Sequence, residues 1–196
     1  FFDIREHFNC EPYSNDQTKS LPSLEDWQFF KNRYKSIVDK NAIFYDPVPA
    51  TLGYSLTEGV PTPFYAALST DGRGRGLFAS RFIKKGELVH DGNKSDFIFP
   101  SGMAWRRYIF SMPREKACDM IDWTWTQQTR KDSRYKIFAA MDISVLLNAE
   151  EGEDSINIMP KSSTSSTMYA IRDIEVGEEL LTDYEIYETV WDQVGL

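Results

Sequence analysis

Two stretches of the same make constrain this chain most. Near its end runs Thr167-Met-Tyr-Ala-Ile-Arg-Asp-Ile-Glu-Val-Gly-Glu-Glu-Leu-Leu-Thr-Asp-Tyr184, and roughly ninety residues earlier runs Leu77-Phe-Ala-Ser-Arg-Phe-Ile-Lys-Lys-Gly-Glu-Leu-Val89. Each reads as an apolar run, an Arg, an apolar residue, charged residues, Gly-Glu and then Leu. That pattern predicts a strand, a turn at the glycine and a second strand, so each stretch is expected to form a hairpin. The chemistry must lie between and after these two units.

At 196 residues, with 41% hydrophobic and 14% aromatic residues, the chain can bury one full core, and the aromatic content excludes disorder. A net charge of −8 argues against direct nucleic-acid binding, which needs a basic surface, and suits a basic partner instead. Of the two cysteines, Cys10 and Cys118, neither belongs to a CxxC pair, so no structural zinc site and no metal is expected. Two buried free thiols are the expectation, with a disulfide as the alternative. No run is long and apolar enough to span a membrane. The chain opens Phe-Phe rather than Met, as a processed or excised chain does, and neither compartment nor oligomeric state can be read from it.

Along the chain, residues 1–22 read as an irregular arm anchored by Phe1, Phe2 and Phe8. Ser23 is an N-cap candidate for an amphipathic helix from Leu24 to about Asp39, bearing Trp27, Phe30 and Tyr34 on one face. Asp46 to Pro63, rich in Pro and Gly, is the expected junction between this N-terminal part (1–62) and the main domain (63–196). Phe64 to Leu68 is a strand candidate. A helical insert is expected over about 101–128, its second helix beginning at Pro113, then strands through Trp123 to Ala139, an acidic loop at Glu150–Asp154, and a terminal amphipathic helix over about 185–196.

Three places can carry chemistry. Gly72-Arg-Gly-Arg-Gly76 lets a ligand approach the backbone, but no Lys-Ser/Thr follows and a strand comes next, which excludes a P-loop and a dinucleotide fingerprint; a plain turn is the alternative. Leu146-Leu-Asn148 places an amide after a buried apolar pair, either to satisfy the fold or to bond a ligand. Thr182-Asp-Tyr184 offers a phenol, which normally stays neutral and can orient an amine, or can simply sit at a strand rim. With only His7 and His90 available, no histidine triad or metal cluster can be assembled.

In order, these places resemble the SET domain, the protein lysine methyltransferase family. The likeness runs through Gly74-Arg-Gly-Leu-Phe-Ala, through Met141-Asp-Ile-Ser-Val-Leu-Leu-Asn148 with Ser155-Ile-Asn157, and through Ala170 to Tyr184, covering roughly Pro63 to Glu188. It implies a mainly β fold of several small curved sheets with a C-terminal pseudoknot, a helical insert and an N-terminal helix. It implies S-adenosylmethionine as cofactor, held by Gly74, Arg75, Gly76, Leu147 and Asn148, and a lysine-containing protein or peptide as substrate. Tyr184 is then the catalytic residue, with Thr182 beside it in the substrate channel, and Tyr187 or Trp191 is available to stack on adenine. Ala149, His90 and Thr182 depart from the family pattern, so a catalytically degenerate SET-like interaction module is the alternative, and methylation of a small amine a third reading.

Overall fold

The structure is a computed structural model that describes residues 1–14, 19–44, 59–70, 72–129, 132–152, 155–187 and 189–196. Most of the Pro/Gly-rich junction, and residues 153 and 154 of the acidic loop, lie outside the described residues.

The N-terminal arm is helical where irregular chain was expected. Phe2–Phe8 (α1) stops at Asn9, which takes a left-handed φ of 49°, and Glu11–Ser14 (α2) follows. Pro12 does not prevent α2, because at the start of a helix its missing N–H has no partner to lose. Phe1 and Phe8 pack against the core as expected, whereas Phe2 is exposed, and Ile4 and Cys10 add buried anchors. Leu24–Ile37 (α3) begins at the expected N-cap Ser23, which forms a capping box, Ser23 accepting from the Asp26 amide and Asp26 accepting in return. Its Trp27, Phe30 and Tyr34 are buried, each contributing about 1.5–3 kcal/mol of apolar burial.

Cys10 and Cys118 form a disulfide with their Cα atoms 5.3 Å apart, which corrects the expectation of two free thiols. Spacing along the sequence carried no hint of it, since the bridge depends on α1 and α2 packing against the helical insert. That insert comprises Gly102–Ile109 (α5), capped by the Ser101 side chain, and Arg114–Asp122 (α6), entered through Pro113.

The rest is mainly β, in small sheets. Phe64–Leu68 (β1) pairs antiparallel with Arg75–Ala79 (β2). Leu88–Asp91 (β3) leads through a short helix at Gly92–Ser95 (α4) into Asp96–Phe99 (β4), which pairs with the long strand Asp132–Ala140 (β6). Thr124–Thr129 (β5) flanks β6 on its other side. After a 3-10 turn at Ile143–Leu146 come Asn148–Ala149 (β7), Ile158–Pro160 (β8), Thr167–Ala170 (β9) and Leu181–Thr182 (β10). β9 lies between β3 and β8, and β10 runs parallel to β7, joining the central and closing segments.

The two similar stretches do not close on themselves as hairpins. β2 pairs with β1 and β3 with β9, so the arms of each unit belong to different sheets. The units clasp each other instead. Ile83 and Ile174 exchange both backbone hydrogen bonds (3.0 and 2.9 Å), the Gly86 amide donates to Ala170, and the Gly177 amide donates to Ala79, both at 2.8 Å. Each bond recurs at the same sequence offset. Gly86 and Gly177 take φ of 88° and 85°, a conformation that glycine adopts without strain. The expected terminal helix over 185–196 is only a 3-10 turn, Trp191–Val194, closed by Gly195 at φ 79°. Its carbonyls press on the start of α5, where a Cβ on Gly102 would stand 2.6 Å from the Val194 and Gly195 oxygens. One core cluster runs from Ile4 through α3 and the insert to Leu180, so arm and domain share a single interior.

Candidate active site

The clasp brings the three marked places together. In the Gly-Arg-Gly turn, Gly74 takes φ of 83° with open space where a side chain would stand. Gly76 is required for a different reason: a Cβ there would lie 2.2 Å from Glu179 Oε1 and 3.1 Å from Asn148 Nδ2. Asn148 donates through Nδ2 to the Arg75 carbonyl (3.0 Å) and to Glu179 Oε1 (2.8 Å), tying the turn to the closing segment. The Arg75 side chain points elsewhere, to Asp119 of α6 (3.2 Å), the Ser20 carbonyl (3.1 Å) and the face of Trp123. It locks arm and insert to the turn.

Glu179 is the hub. Only 8% exposed, it accepts from Ser69 Oγ (2.9 Å) and Arg73 Nη2 (3.0 Å) on one oxygen and from Asn148 on the other. Arg73 also pairs with Glu150. Asn157 fastens the same segment, its Nδ2 donating to the Glu179 carbonyl (2.6 Å) and its Oδ1 accepting from the Leu181 amide (2.8 Å). Glu179, Asn148 and Asn157 thus tie the turn to the central and closing segments.

Tyr184 meets Leu147: its hydroxyl donates to the Leu147 carbonyl. The ring is 50% exposed, yet the hydroxyl end is desolvated, and that burial pushes the phenol pKa up to about 12. At neutral pH Tyr184 is a fixed neutral donor. It stands in a cleft of about 250 Å³ whose walls include Trp123, Trp125, Tyr187, Trp191 and Val145. One face of Trp191 is covered by Phe1, stacked at 3.9 Å and 2°. His90 and Ser166 add polar groups to the wall.

The SET domain family model matches residues 74–185, more than half of the chain. The chain belongs to the SET-domain family. No curated protein matches it. Among solved structures, this SET domain is similar to CpSET8 from Cryptosporidium, at 14% identity over 96% of this chain and 99% of that one, with a TM-score of 0.44. It is also similar to a chain of the Chaetomium thermophilum polycomb repressive complex 2, at 22% identity over 63% of this chain and 15% of that one (TM-score 0.43). A further similar structure is ctPRC2 in an autoinhibited conformation bound to S-adenosylmethionine, at 23% identity, 62% and 15% coverage and TM-score 0.41. This SET domain thus spans about 15% of the length of that first polycomb chain.

Within this SET domain, Gly74, Arg75, Gly76, Leu147, Asn148 and Tyr184 converge as a set. Thr182, expected in the substrate channel, has no exposed surface. It lies in β10 opposite Ala149, its hydroxyl has no hydrogen-bond partner, and the cleft wall passes through Tyr184 and Tyr187. Sequence reasoning missed Glu179, Arg73 and Glu150. For Glu179 a signal existed, since it lies in the Gly-Glu-Glu-Leu run that drew attention to the closing stretch. For the Arg73–Glu150 pair there was none, because the partners are far apart in sequence. No cluster of His, Cys, Asp and Glu suited to a metal occurs among the described residues.

Proposed function

We propose that this SET domain transfers a methyl group from S-adenosylmethionine to a lysine side chain of a protein. Family membership supports the coarse reading, a lysine methyltransferase type of domain. The observation that carries the finer one is the junction of Tyr184 and Leu147 at an aromatic cleft, coupled through Asn148 to an open Gly-Arg-Gly turn.

The residues at the turn suit the cofactor. The methionine end of S-adenosylmethionine is a zwitterion, and Arg73 beside Glu150 and Glu179 offers both signs of charge next to the uncovered backbone of Gly74. Gly74, Arg75, Gly76, Leu147 and Asn148 would hold it. Bound there, it would supply a methyl group on an already activated sulfonium, so no protein nucleophile is required.

The protein's own work is then alignment and exclusion of water. The faces of Trp125 and Tyr187 accept the lysine methylenes, and the apolar wall favours the neutral amine over the ammonium. The Tyr184 hydroxyl and the Leu147 carbonyl form one polar spot where an amine nitrogen can be held. The acidic surface attracts a basic substrate segment. Calorimetry with S-adenosylmethionine, followed by labelling of lysine-peptide arrays with methyl-labelled cofactor, tests the reading. Binding and label on lysine are expected. A folded protein that binds no cofactor is the silent module instead, and label on small amines but never on peptides removes the protein substrate.

A further inference from the structure

The hollow beside Tyr184 does not end at the cleft. Thr126 and Tyr187 also line a small hollow of about 110 Å³, which shares Gln127, Gln128 and Thr164 with a groove of about 650 Å³. The cleft and the groove also meet at Ser166. A track therefore runs from the cleft along β5, the edge strand of its sheet, and past the loop 161–166 between β8 and β9. That loop is fixed at both ends of the track. Gln127, buried in β5, donates through Nε2 to the Ser163 carbonyl (2.9 Å), and the Tyr187 hydroxyl donates to the Ser165 carbonyl (3.2 Å).

The groove end of the track is basic, in a chain whose net charge is −8. Lys161 borders the groove, its ammonium 4.2 Å from the centre of the Tyr169 ring and without a carboxylate partner among the described residues. Lys136 borders it too. Its carboxylate partner Asp132, at 3.3 Å, is already held by Arg134 through both oxygens (3.1 and 2.9 Å). Asp96, the other acid in the wall, carries only part of a charge at neutral pH. Burial pushes its pKa up to about 7, against the hydrogen bonds from Ser166 and Ser95. Two ammonium groups thus border the groove with one shared carboxylate between them.

We propose that the groove takes an acidic side chain of the substrate and that Lys161 and Lys136 select it, an inference that rests on the methyltransferase reading above. An extended chain rises about 3.3 Å per residue, so the stretch of β5 from Thr126 in the cleft wall to Thr129 in the groove spans about 10 Å. With the reach of the lysine stems added, the acidic residue stands about three to five residues from the target lysine, on one side of it. The Tyr169 ring holds the Lys161 ammonium at the groove, so less freedom is lost when a carboxylate binds it. This preference runs against the rest of the surface. A strongly acidic molecule favours Lys over Glu at any exposed substrate position, and the groove reverses that order at one place.

The test takes the array peptide that accepts most label and places Glu, Gln or Lys in turn at each flanking position on both sides of the lysine. The readout is the ratio of kcat/KM for Glu over Gln. In the wild type, Glu is expected to be favoured by about three- to tenfold within the proposed window on one side, through KM rather than kcat, and to be disfavoured elsewhere. The gain should fall to about twofold or less in Lys161→Gln and in Lys136→Gln, and should shrink toward unity in the wild type at high salt. In Lys161→Glu the order should invert, with Lys favoured over Glu at that same position, an outcome that damage to the fold does not produce. Glu favoured at no position, or a gain that survives in both single variants, overturns the inference and leaves the methyltransferase reading standing. A folded wild type that labels no peptide overturns that reading and the inference with it.

Discussion

Glu179→Gln isolates the hub under the Gly-Arg-Gly turn. The native carboxylate accepts on both oxygens, from Asn148 on one side and from Ser69 and Arg73 on the other. A glutamine of the same size can accept on one side only, so either the Asn148 amide or the Ser69–Arg73 pair faces an NH₂ group. The site is nearly closed to solvent at 8% exposure, so water cannot repair the mismatch. A lost hydrogen bond to a charged group is worth about 1.5–3 kcal/mol, and the weakened attraction to Arg73, which keeps Glu150 as its other carboxylate partner, adds up to about 1 kcal/mol, giving a destabilisation of about 2–4 kcal/mol. For a domain of this size that is a fall in melting temperature of roughly 5–12 °C. Urea unfolding followed by circular dichroism measures it, with the exposed Glu175→Gln as a control expected within about 0.5 kcal/mol of wild type. Equal midpoints for the two variants would refute the assignment of Glu179 as the hub.

The Cys10–Cys118 bridge closes a loop of 108 residues, for which the chain-entropy argument gives about 4–5 kcal/mol. Dithiothreitol, or Cys118→Ser, should lower the urea midpoint accordingly, and native mass spectrometry of the alkylated protein should find no free thiol before reduction. Alkaline pH acts on buried phenols. Burial holds Tyr34 and Tyr184 up at about 12 and Tyr108 well above its usual value. The folded state thus keeps protons that the unfolded chain loses from about pH 10, so this stability is complete below pH 10 and is lost as pH rises toward 12. Absorbance at 295 nm should report tyrosine ionisation rising together with unfolding; ionisation of these phenols well before unfolding would contradict their burial.

Legibility in the sequence followed how local the cause was. The start of α3 at Ser23 and Asp26, the strand Phe64–Leu68 and the entry of α6 through Pro113 rest on neighbouring residues, and all were readable. The SET resemblance was readable because the order and residue types of the three motifs follow the family pattern, and the family model matches residues 74–185. What failed was pairing across the chain. The two similar stretches do contain the expected strands and glycine turns, but nothing in either stretch says that Ile83 bonds Ile174 rather than its own arm. The disulfide, the Glu179 hub and the Arg73–Glu150 pair depend on the same long-range docking. The burial of Thr182 was not legible for a simpler reason: β10 is only two residues long, and alternation along so short a strand does not fix which side chain is enclosed. The terminal segment has helical spacing of Tyr187, Trp191 and Val194, yet docking on α5 and on Phe1 holds it to one 3-10 turn.

The central claim is that Tyr184, on the Leu147 carbonyl, holds the amine at the point of methyl transfer. The direct measurement is single-turnover labelling of a lysine peptide by Tyr184→Phe beside wild type, with cofactor affinity measured on the same samples. Tyr184→Phe removes one hydroxyl and leaves the ring, so affinity for S-adenosylmethionine should change less than about threefold while the rate falls by about a hundredfold or more. A Tyr184→Phe protein that transfers label at the wild-type rate would contradict the account.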